Sequence, residues 1–262
     1  MNTTLEVILS PAEFPVLRQR DLSQTVCVVF DILRATTTMI TALANGAEAL
    51  IPVEEISEAV ALRQLHPAIL LAGERDGLRI GANLTGGINF DLGNSPREHT
   101  PEKVQGKTIA ITTTNGTRAL RACAGAKTIL IGSFLNLRVI SNRLKAERPP
   151  HLLLVCSGTC EQPALEDILA AGALCERIWP DYAGGQIADS AEMARRLYPL
   201  MQHNLADAMK HSRNGRRLLS NPELRNDVWF CMQRETIPFG AELFPDGSVR
   251  KSQRPPAKPA EA

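Results

Sequence analysis

Apolar residues along this chain occur in short runs that alternate with helical patterns, and polar turns separate the two. The most informative stretch starts with the apolar run 26–30, continues through the polar turn 31–38 and a helical pattern, and stops at Asn45 and Gly46. Five consecutive apolar residues are typical of a strand buried on both faces of a parallel sheet, and Asn-Gly is a common helix end. The order predicts a strand, a polar turn and a helix, followed by a strand that ends at Val53.

Two later segments have the same order. The predicted strands are 107–111 and 152–155, the turns are 112–117 and 156–159, and the helices are 118–124 and 164–171, the last followed by Gly172 and Ala173. Internal repetition and the strand-turn-helix order common to all βα folds explain these units equally well. In both cases the polar turns gather along one edge of a sheet.

The other segments complete an α/β domain. Further strands are predicted at 5–9, 68–72 and 128–131, and further helices at 54–66, 136–147, 190–204, 205–211 and from Pro222 to about Gln233, with a break at 212–216. Asp246 and Gly247 predict a hairpin turn. We therefore expect a layered α/β/α fold with a mainly parallel sheet, built from repeated β-turn-α units, and a helical carboxyl-terminal region.

Residues 1–250 are predicted to form one α/β domain, with two intertwined subdomains at about 1–130 and 131–250 as the alternative. Residues 251–262 contain no core-forming side chains and predict a disordered tail.

Segment 77–101 is rich in glycine and asparagine and lacks periodicity. Long ordered loops of this kind inside a patterned domain are usually functional.

Composition narrows the range of partners. The chain has 262 residues with 29 basic and 28 acidic side chains, a net charge of +1, which argues against nucleic acid or a membrane surface as a partner. Signal-peptide features are absent, and no apolar segment approaches the ~18 residues that span a bilayer, so we expect a cytoplasmic protein. The scattered cysteines are expected to be reduced. Cys156 and Cys160 lack a second pair or a nearby histidine, so we expect no zinc site.

The turn 112–117 offers donors for an anion. Thr113, Thr114, Asn115 and Gly116 stand where a strand meets a helix. Backbone N–H groups at the helix start, together with the hydroxyls, can hold a phosphate or sulfonate. The alternative is plain N-capping combined with the preference of threonine for strands.

The first turn carries Asp31, Arg34, Thr36 and Thr37. An acid at the end of a buried strand can ligate Mg²⁺ or attack phosphorus, and an arginine fork suits a pair of phosphate or sulfonate oxygens. A local ion pair between Asp31 and Arg34 is the alternative.

Further acids follow two other strands. Glu74 and Arg75 come directly after the strand 68–72. They form either an anion-binding edge or a surface turn. Glu166 and Asp167 open the third helix, where acids are common anyway. With Asp31 they could form an oxygen-rich Mg²⁺ site. The histidines stand outside the strand-end turns and are mostly expected at the surface, which argues against a histidine nucleophile.

Five motifs in this order resemble the 2-phosphosulfolactate phosphatase family over residues 26–240. They are DILRATTT at 31–38, GER at 73–75, FDLGNSP at 90–96, TTTNGT at 112–117 and LEDILAAG at 165–172. The resemblance implies an α/β fold and a Mg²⁺-dependent phosphohydrolase of coenzyme M synthesis. Its substrate would be (2R)-O-phospho-3-sulfolactate, a small phosphorylated and sulfonated hydroxyacid that is hydrolysed to 3-sulfolactate and phosphate.

The resemblance also implies which positions face ligands. We expect catalytic roles for Asp31, Arg34 and Glu74, and metal binding by Asp31 with Glu166 or Asp167. The expected substrate-binding positions are Thr36, Thr37, Arg75, Asp91, Asn94, Ser95, Thr113, Thr114, Asn115, Gly116, Ser157 and Gly158. The nucleophile and a homodimer stay open. Another small anionic phosphorylated hydroxyacid as substrate, or a non-catalytic anion-binding protein, are the alternative functions.

Overall fold

The structure is a computed structural model that describes residues 3–252. The strands are β1 (Thr4–Ile8), β2 (Thr25–Phe30), β3 (Ala49–Pro52), β4 (Leu70–Arg75), β5 (Leu78–Arg79), β6 (Thr108–Thr112), β7 (Thr128–Gly132), β8 (His151–Cys156), β9 (Gln186–Ile187), β10 (Ala241–Leu243) and β11 (Val249–Lys251). The helices are α1 (Phe14–Leu17), α2 (Ala35–Ala44), α3 (Ile56–Leu65), α4 (Ala82–Thr85), α5 (Pro101–Val104), α6 (Gly116–Ala122), α7 (Leu137–Glu147), α8 (Leu165–Tyr182), α9 (Asp189–Met201), α10 (Leu205–Ala208), α11 (Arg213–Leu219) and α12 (Arg225–Cys231).

The strands form one mixed, mostly parallel sheet in the order β5-β4-β6-β3-β11-β10-β7-β2-β8-β1-β9. Two parallel groups make up most of it: β4, β6 and β3 pair in parallel, and so do β7, β2, β8, β1 and β9. The hairpin of β10 and β11 lies between them and pairs antiparallel with β7 on one side and β3 on the other. The carboxyl-terminal hairpin therefore joins two parallel groups into a continuous sheet. The alternative division into two subdomains near residue 130 stays a prediction.

Helices cover both faces of the sheet, as the continuous apolar strands predicted. In β2, Val26, Val28 and Phe30 belong to one core, while Cys27 and Val29 belong to the other. Alternate side chains of a strand point to opposite faces, so a strand that is buried throughout needs a layer on each side. The layers are α7, α8, α9 and the carboxyl-terminal helices on one face, and α1, α2 and α6 on the other. The predicted α/β/α class is confirmed.

The three predicted units are present, but the third helix is longer than expected. It was predicted to stop at Ala171, yet α8 continues to Tyr182. A side chain at Gly172 would place its Cβ 2.1 Å from the carbonyl oxygen of Ala194 in α9. Gly172 is therefore where two helices approach each other closely, not where one of them ends.

The carboxyl-terminal helices also differ from the prediction. A break is present but lies earlier than the predicted 212–216: α10 ends at Ala208 and α11 begins at Arg213. Ser212 Oγ accepts a hydrogen bond from the Gly215 N–H at 2.8 Å and caps α11. The helix predicted from Pro222 begins three residues later, at Arg225. The predicted hairpin is confirmed as β10 and β11. Of the predicted tail, residues 253–262 lie outside the described residues.

The segment 77–101 contains short elements, namely β5, α4 and a 3₁₀ turn at Pro96–Glu98. Leu92 forms a parallel bridge with Ala72 of β4, which holds the end of this segment against the sheet. No helix within residues 3–252 combines the length and apolar character needed to cross a membrane.

Candidate active site

A small cavity lies at the carboxyl ends of β2, β4, β6 and β8. Its volume is about 80 Å³, and its lining residues are Asp31, Leu33, Arg34, Glu74, Asp76, Asn94, Thr113, Thr114, Asn115, Thr159, Cys160 and Arg217. A larger groove of about 270 Å³ lies at the opposite ends of β1, β2 and β8, where Thr4, Thr25 and His151 contribute to its lining. Parallel sheets bind ligands at the carboxyl ends of their strands, and the predicted polar turns meet at the smaller cavity.

Asp31 lies at the centre of this edge. It follows β2 directly, and its Oδ1 accepts a hydrogen bond from the N–H of Ala35, the first residue of α2, at 3.0 Å. Burial, opposed by the hydrogen bond from the Ala35 N–H and assisted by the negative charges of Glu74 and Glu166, raises the pKa of Asp31 to about 7. Asp31 is thus an acid that changes its charge near neutral pH.

Asp167 connects the first polar turn to the third. Its two carboxylate oxygens accept hydrogen bonds from the N–H of Ile32 at 2.8 Å and the N–H of Gly158 at 3.1 Å. Burial raises the pKa of Asp167 well above its usual range, and the charges of Asp31 and Glu166 add to the effect. The helix α8 therefore brings its first-turn acid into direct contact with the loop after β2.

Glu166 is equally buried but has only one of its oxygens bonded. Oε1 accepts a hydrogen bond from Asn214 Nδ2 at 2.7 Å, whereas Oε2 is buried without a partner among the described residues. Asn214 also donates to Thr159 Oγ1 at 2.8 Å. An unpaired buried carboxylate oxygen is costly, and a bound cation is one way to satisfy it.

Glu74 fixes the second polar turn. Oε1 accepts hydrogen bonds from both the N–H and the hydroxyl of Thr114, at 2.9 and 2.8 Å, and Oε2 accepts one from the N–H of Gly77 at 2.6 Å. Because both oxygens are engaged, Glu74 holds Thr114 in position at the cavity wall.

Arg34 pairs with a distant acid and not with Asp31. Its Nη1 lies 2.8 Å from Asp227 Oδ2, and its Nη2 donates to the carbonyl oxygen of Gly77 at 2.8 Å. Ser95 Oγ donates to Asp227 Oδ1 at 2.7 Å. Arg34 is 3% exposed and Asp227 is fully buried, so the charge of Arg34 is compensated within the protein.

The oxygen donors at this edge suit a hard cation. Asp31, Glu74, Glu166 and Asp167 are all buried and lie close enough to perturb one another. No three Asp, Glu, His or Cys side chains in residues 3–252 form a ready ligand cage. Mg²⁺ needs no such cage, because it takes one or two carboxylates and completes its octahedron with water and substrate oxygens. Asp31, Glu166 and Asp167 are the buried residues at this edge that could supply carboxylate oxygens to such an ion.

Most of the predicted site residues gather here, in the cavity wall or directly behind it. The wall contains Asp31, Arg34, Glu74, Asn94, Thr113, Thr114 and Asn115. Eight others are buried and do not line the cavity, namely Thr36, Thr37, Ser95, Gly116, Ser157, Gly158, Glu166 and Asp167. Thr36 and Thr37 use their hydroxyls to bond the carbonyl oxygens of Asp31 and Ile32. These hydrogen bonds engage both hydroxyls and shape the turn that follows β2.

Two predicted residues are not brought to the cavity. Arg75 donates to the carbonyl oxygens of Glu74 and Glu54 and to Thr112 Oγ1, and it lines a separate groove on the other side of Thr114. Asp91 pairs with Arg63 and accepts a hydrogen bond from the Leu71 N–H at 2.7 Å. The side chain of Asp91 thereby fastens the loop to β4, and it does not face the cavity.

Sequence reasoning did not select several residues of the site. Asp76, Thr159 and Cys160 stand directly beside predicted motifs, so the motif positions already pointed to them. Arg217 lines the cavity from α11, and Asn214 and Asp227 support it from α11 and α12. No local pattern marks these last three residues.

One histidine also departs from the surface location expected for most of them. His99 is fully buried, and its Nδ1 lies 3.0 Å from the carbonyl oxygen of Ser95. Burial lowers the pKa of His99, which favours the neutral ring. It lies behind Ser95 and does not line the cavity.

Comparison with known proteins identifies the family of this chain. A family model described as 2-phosphosulpholactate phosphatase matches residues 13–241. A probable 2-phosphosulfolactate phosphatase of Caldanaerobacter subterraneus subsp. tengcongensis is 38% identical over 239 residues, which cover 90% of this chain and 95% of that protein. One of Thermotoga maritima is 39% identical over 214 residues, covering 80% of this chain and 87% of its own. These matches show that the chain belongs to the 2-phosphosulfolactate phosphatase family, a family of phosphatases, as its motifs predicted.

Proposed function

We propose that the protein is a Mg²⁺-dependent phosphatase that hydrolyses (2R)-O-phospho-3-sulfolactate to (2R)-3-sulfolactate and phosphate. The family match supports the reaction and the substrate. The observation that carries the proposal is the meeting of buried carboxylates, the hydroxyl-rich turn and Arg34 at one small cavity. Hydrolysis of a phosphate ester needs hydrogen-bond donors for the phosphoryl oxygens, together with acids that hold a metal or exchange a proton.

Donors for the phosphoryl oxygens would come from two turns. The hydroxyl of Thr113 is buried without a partner among the described residues, so it is free to donate to a ligand. Thr114 and Asn115 line the wall next to it at the start of α6. Backbone N–H groups at a helix start favour an anion at this place. Arg34, fixed by Asp227, adds the remaining donors of its fork.

Asp31 with Glu166 or Asp167 would hold Mg²⁺. When bound, the ion would neutralise charge on the phosphoryl group and the mutual repulsion of the acids. Glu166 Oε2 has a free lone pair for this purpose. With its pKa near 7, Asp31 is also the acid best suited to exchange a proton near neutral pH. Attack by water and phosphorylation of an acid both stay open.

The proposal is tested by phosphate release from phosphosulfolactate, phospholactate and phosphoglycerates, with Mg²⁺ and with a chelator. We expect turnover to be fastest with phosphosulfolactate and to require Mg²⁺. Asp31→Asn should nearly abolish it, whereas Asp246→Asn, at an exposed turn, should match the wild type. Full activity of Asp31→Asn would remove Asp31 from the mechanism, and undiminished turnover with chelator would exclude Mg²⁺ dependence.

The other expectations belong to this proposal as well. We place the enzyme in the cytoplasm and in coenzyme M synthesis, with a small anionic substrate and without a nucleic-acid or membrane partner. Assembly as a homodimer stays open. These statements remain predictions.

A further inference from the structure

Arg217 reaches the cavity from the carboxyl-terminal helical region. It stands on α11, is exposed to solvent and forms part of the cavity wall. Its Cζ and Nη2 atoms lie 3.8 and 3.9 Å from the position that a Cβ at Gly77 would occupy. The guanidinium therefore lies over the Gly77 turn, where the Glu74 carboxylate and the Arg34 guanidinium are both anchored.

The helix that carries Arg217 is held firmly against the site. Asn214, one helical turn earlier, bonds both Glu166 and Thr159. A Cβ at Gly215 would lie 2.1 Å from the carbonyl oxygen of Met209, so the backbone of α11 packs without a gap there. Residues three apart share one face of a helix. Arg217 is thus directed to the cavity by the same face that contacts the acid cluster.

Charge compensation distinguishes Arg217 from the other arginines near this edge. Arg34 is paired with Asp227, and Arg118 lies 2.9 Å from Glu161 Oε1. Arg75 is occupied by carbonyl oxygens outside the cavity. No hydrogen bond or ion pair engages the guanidinium of Arg217 within residues 3–252; the Arg217 carbonyl oxygen accepts a hydrogen bond from Ser220 Oγ. Of the two arginines that line the cavity, Arg34 and Arg217, Arg217 is therefore the one whose guanidinium is free to bind an incoming anion.

We propose that Arg217 binds the anionic end of the substrate that is not transferred, its sulfonate or carboxylate, and so determines specificity. This inference rests on the proposed function. The transferred phosphoryl group has its own donors in the turn 112–117 and Arg34, so the free fork of Arg217 is left for a second anion. A planar fork with parallel N–H groups matches the paired oxygens of a sulfonate or carboxylate.

The test compares Arg217→Gln and Arg217→Lys with Arg216→Gln in steady-state kinetics. Arg216 is an exposed neighbour on α11 that donates to the His211 carbonyl oxygen, so it controls for loss of one positive charge on this helix. The substrates are phosphosulfolactate, phospholactate, which has no sulfonate, and phenyl phosphate, which has neither second anion.

For Arg217→Gln we expect KM for phosphosulfolactate to rise about 10- to 100-fold, the range for losing a hydrogen bond to a charged group. The value of kcat should change little, because the contact is made in both the ground and the transition state. Phenyl phosphate should be hydrolysed as by the wild type, and Arg217→Lys should be intermediate. If Arg217 serves the sulfonate, phospholactate is unaffected; if it serves the carboxylate, both hydroxyacid esters weaken.

Equal losses with all three substrates, or an unchanged KM for phosphosulfolactate, would overturn the inference. Calorimetric titration of the proteins with 3-sulfolactate separates it from the proposed function. Absence of turnover in the wild type, together with sulfolactate binding that Arg217→Gln weakens at least about tenfold, would reject the reaction and keep the inference. Absence of both turnover and binding in the wild type would reject both.

Discussion

Arg34 and Asp227 form a buried ion pair with a distance of 2.8 Å between Nη1 and Oδ2, although 193 residues separate them in the chain. Ser95, from the loop before α5, donates to the other oxygen of Asp227. One carboxylate thus connects the first polar turn, the long loop and α12. The active-site edge consequently depends on a helix that no motif marks.

Removal of Asp227 should damage both stability and activity. Asp227→Ala leaves Arg34 buried and unpaired, which costs about 3–5 kcal/mol in the free energy of unfolding. We expect urea denaturation to show this loss and phosphate release to fall with it. Asp246→Asn, which removes an exposed partner of Arg250, should change the free energy of unfolding by less than about 1 kcal/mol.

A double variant separates the two effects of Asp227. Arg34→Met with Asp227→Leu removes both charges, so it should regain much of the lost stability while staying inactive. A single Asp227→Ala protein that unfolds at the same urea concentration as the wild type would contradict this account of the pair.

The stability of the metal-free protein should depend on pH through Asp31. Its pKa is about 7 in the fold and about 4 in an unfolded chain, so between these values the folded protein holds more protons. The contribution of Asp31 therefore favours folding below about pH 4 and is lost as pH rises through 7. Thermal unfolding in chelator should show a greater loss of Tm from pH 5 to pH 8 in the wild type than in Asp31→Asn.

Mg²⁺ should reverse this loss, because it replaces the proton as the partner of the acid. We expect the rise in Tm on adding Mg²⁺ to be larger at pH 8 than at pH 5, and much smaller in Asp31→Asn. An identical pH slope in the two metal-free proteins would show that Asp31 is not the group responsible.

Asn214 should control metal affinity without contacting the metal. It donates to Glu166 Oε1 and so orients this carboxylate. Loss of such a supporting contact usually weakens metal binding about 10- to 100-fold. We expect calorimetry to give this decrease in Mg²⁺ affinity for Asn214→Ala and none for Asn142→Ala, an exposed position on α7. Wild-type affinity in Asn214→Ala would exclude Glu166 as a ligand.

Gly116 should be intolerant of even one methyl group. A Cβ there would lie 2.7 Å from the Ala35 Cβ and 2.9 Å from Asp31 Oδ2, so the first and second turns would have to move apart. We expect Gly116→Ala to lose about 1–3 kcal/mol of stability and about 100-fold in kcat/KM, the scale for a small misplacement of a reacting group.

Gly184 provides the matched control for this substitution. Nothing lies within 4 Å of its Cβ position, so Gly184→Ala should keep wild-type activity and stability. Denaturation curves and phosphate release measured on both variants check the contrast. Wild-type kcat/KM in Gly116→Ala would mean that the spacing of the two turns is not critical.

Residues that directly follow apolar runs could be predicted from the chain. Asp31, Glu74 and Thr113 were selected because a buried strand precedes each of them, and parallel strands bring their carboxyl ends to one edge. Arg75 shows the limit of this reasoning. It also follows a strand, but its side chain leaves the edge on the other side of Thr114.

Local patterns could not reveal the part played by glycine and by the last helices. Gly172 has the signature of a helix end, and only the approach of α9 shows that it permits close packing inside α8. Asn214, Arg217 and Asp227 lie in the short helices α11 and α12, and no motif in the chain selects them. Their importance arises from where α11 and α12 are packed.

The amino-acid sequence by itself determined the buried strands, the order of strand, turn and helix, and the polar residues carried to the sheet edge. These properties follow from the periodicity of side chains and from turn chemistry within a few neighbouring residues. Only the tertiary structure decided that the carboxyl-terminal hairpin joins two parallel groups, and that α11 and α12 supply Arg217 to the cavity and Asp227 to Arg34. Those contacts depend on packing between segments far apart in the chain, which no local pattern encodes.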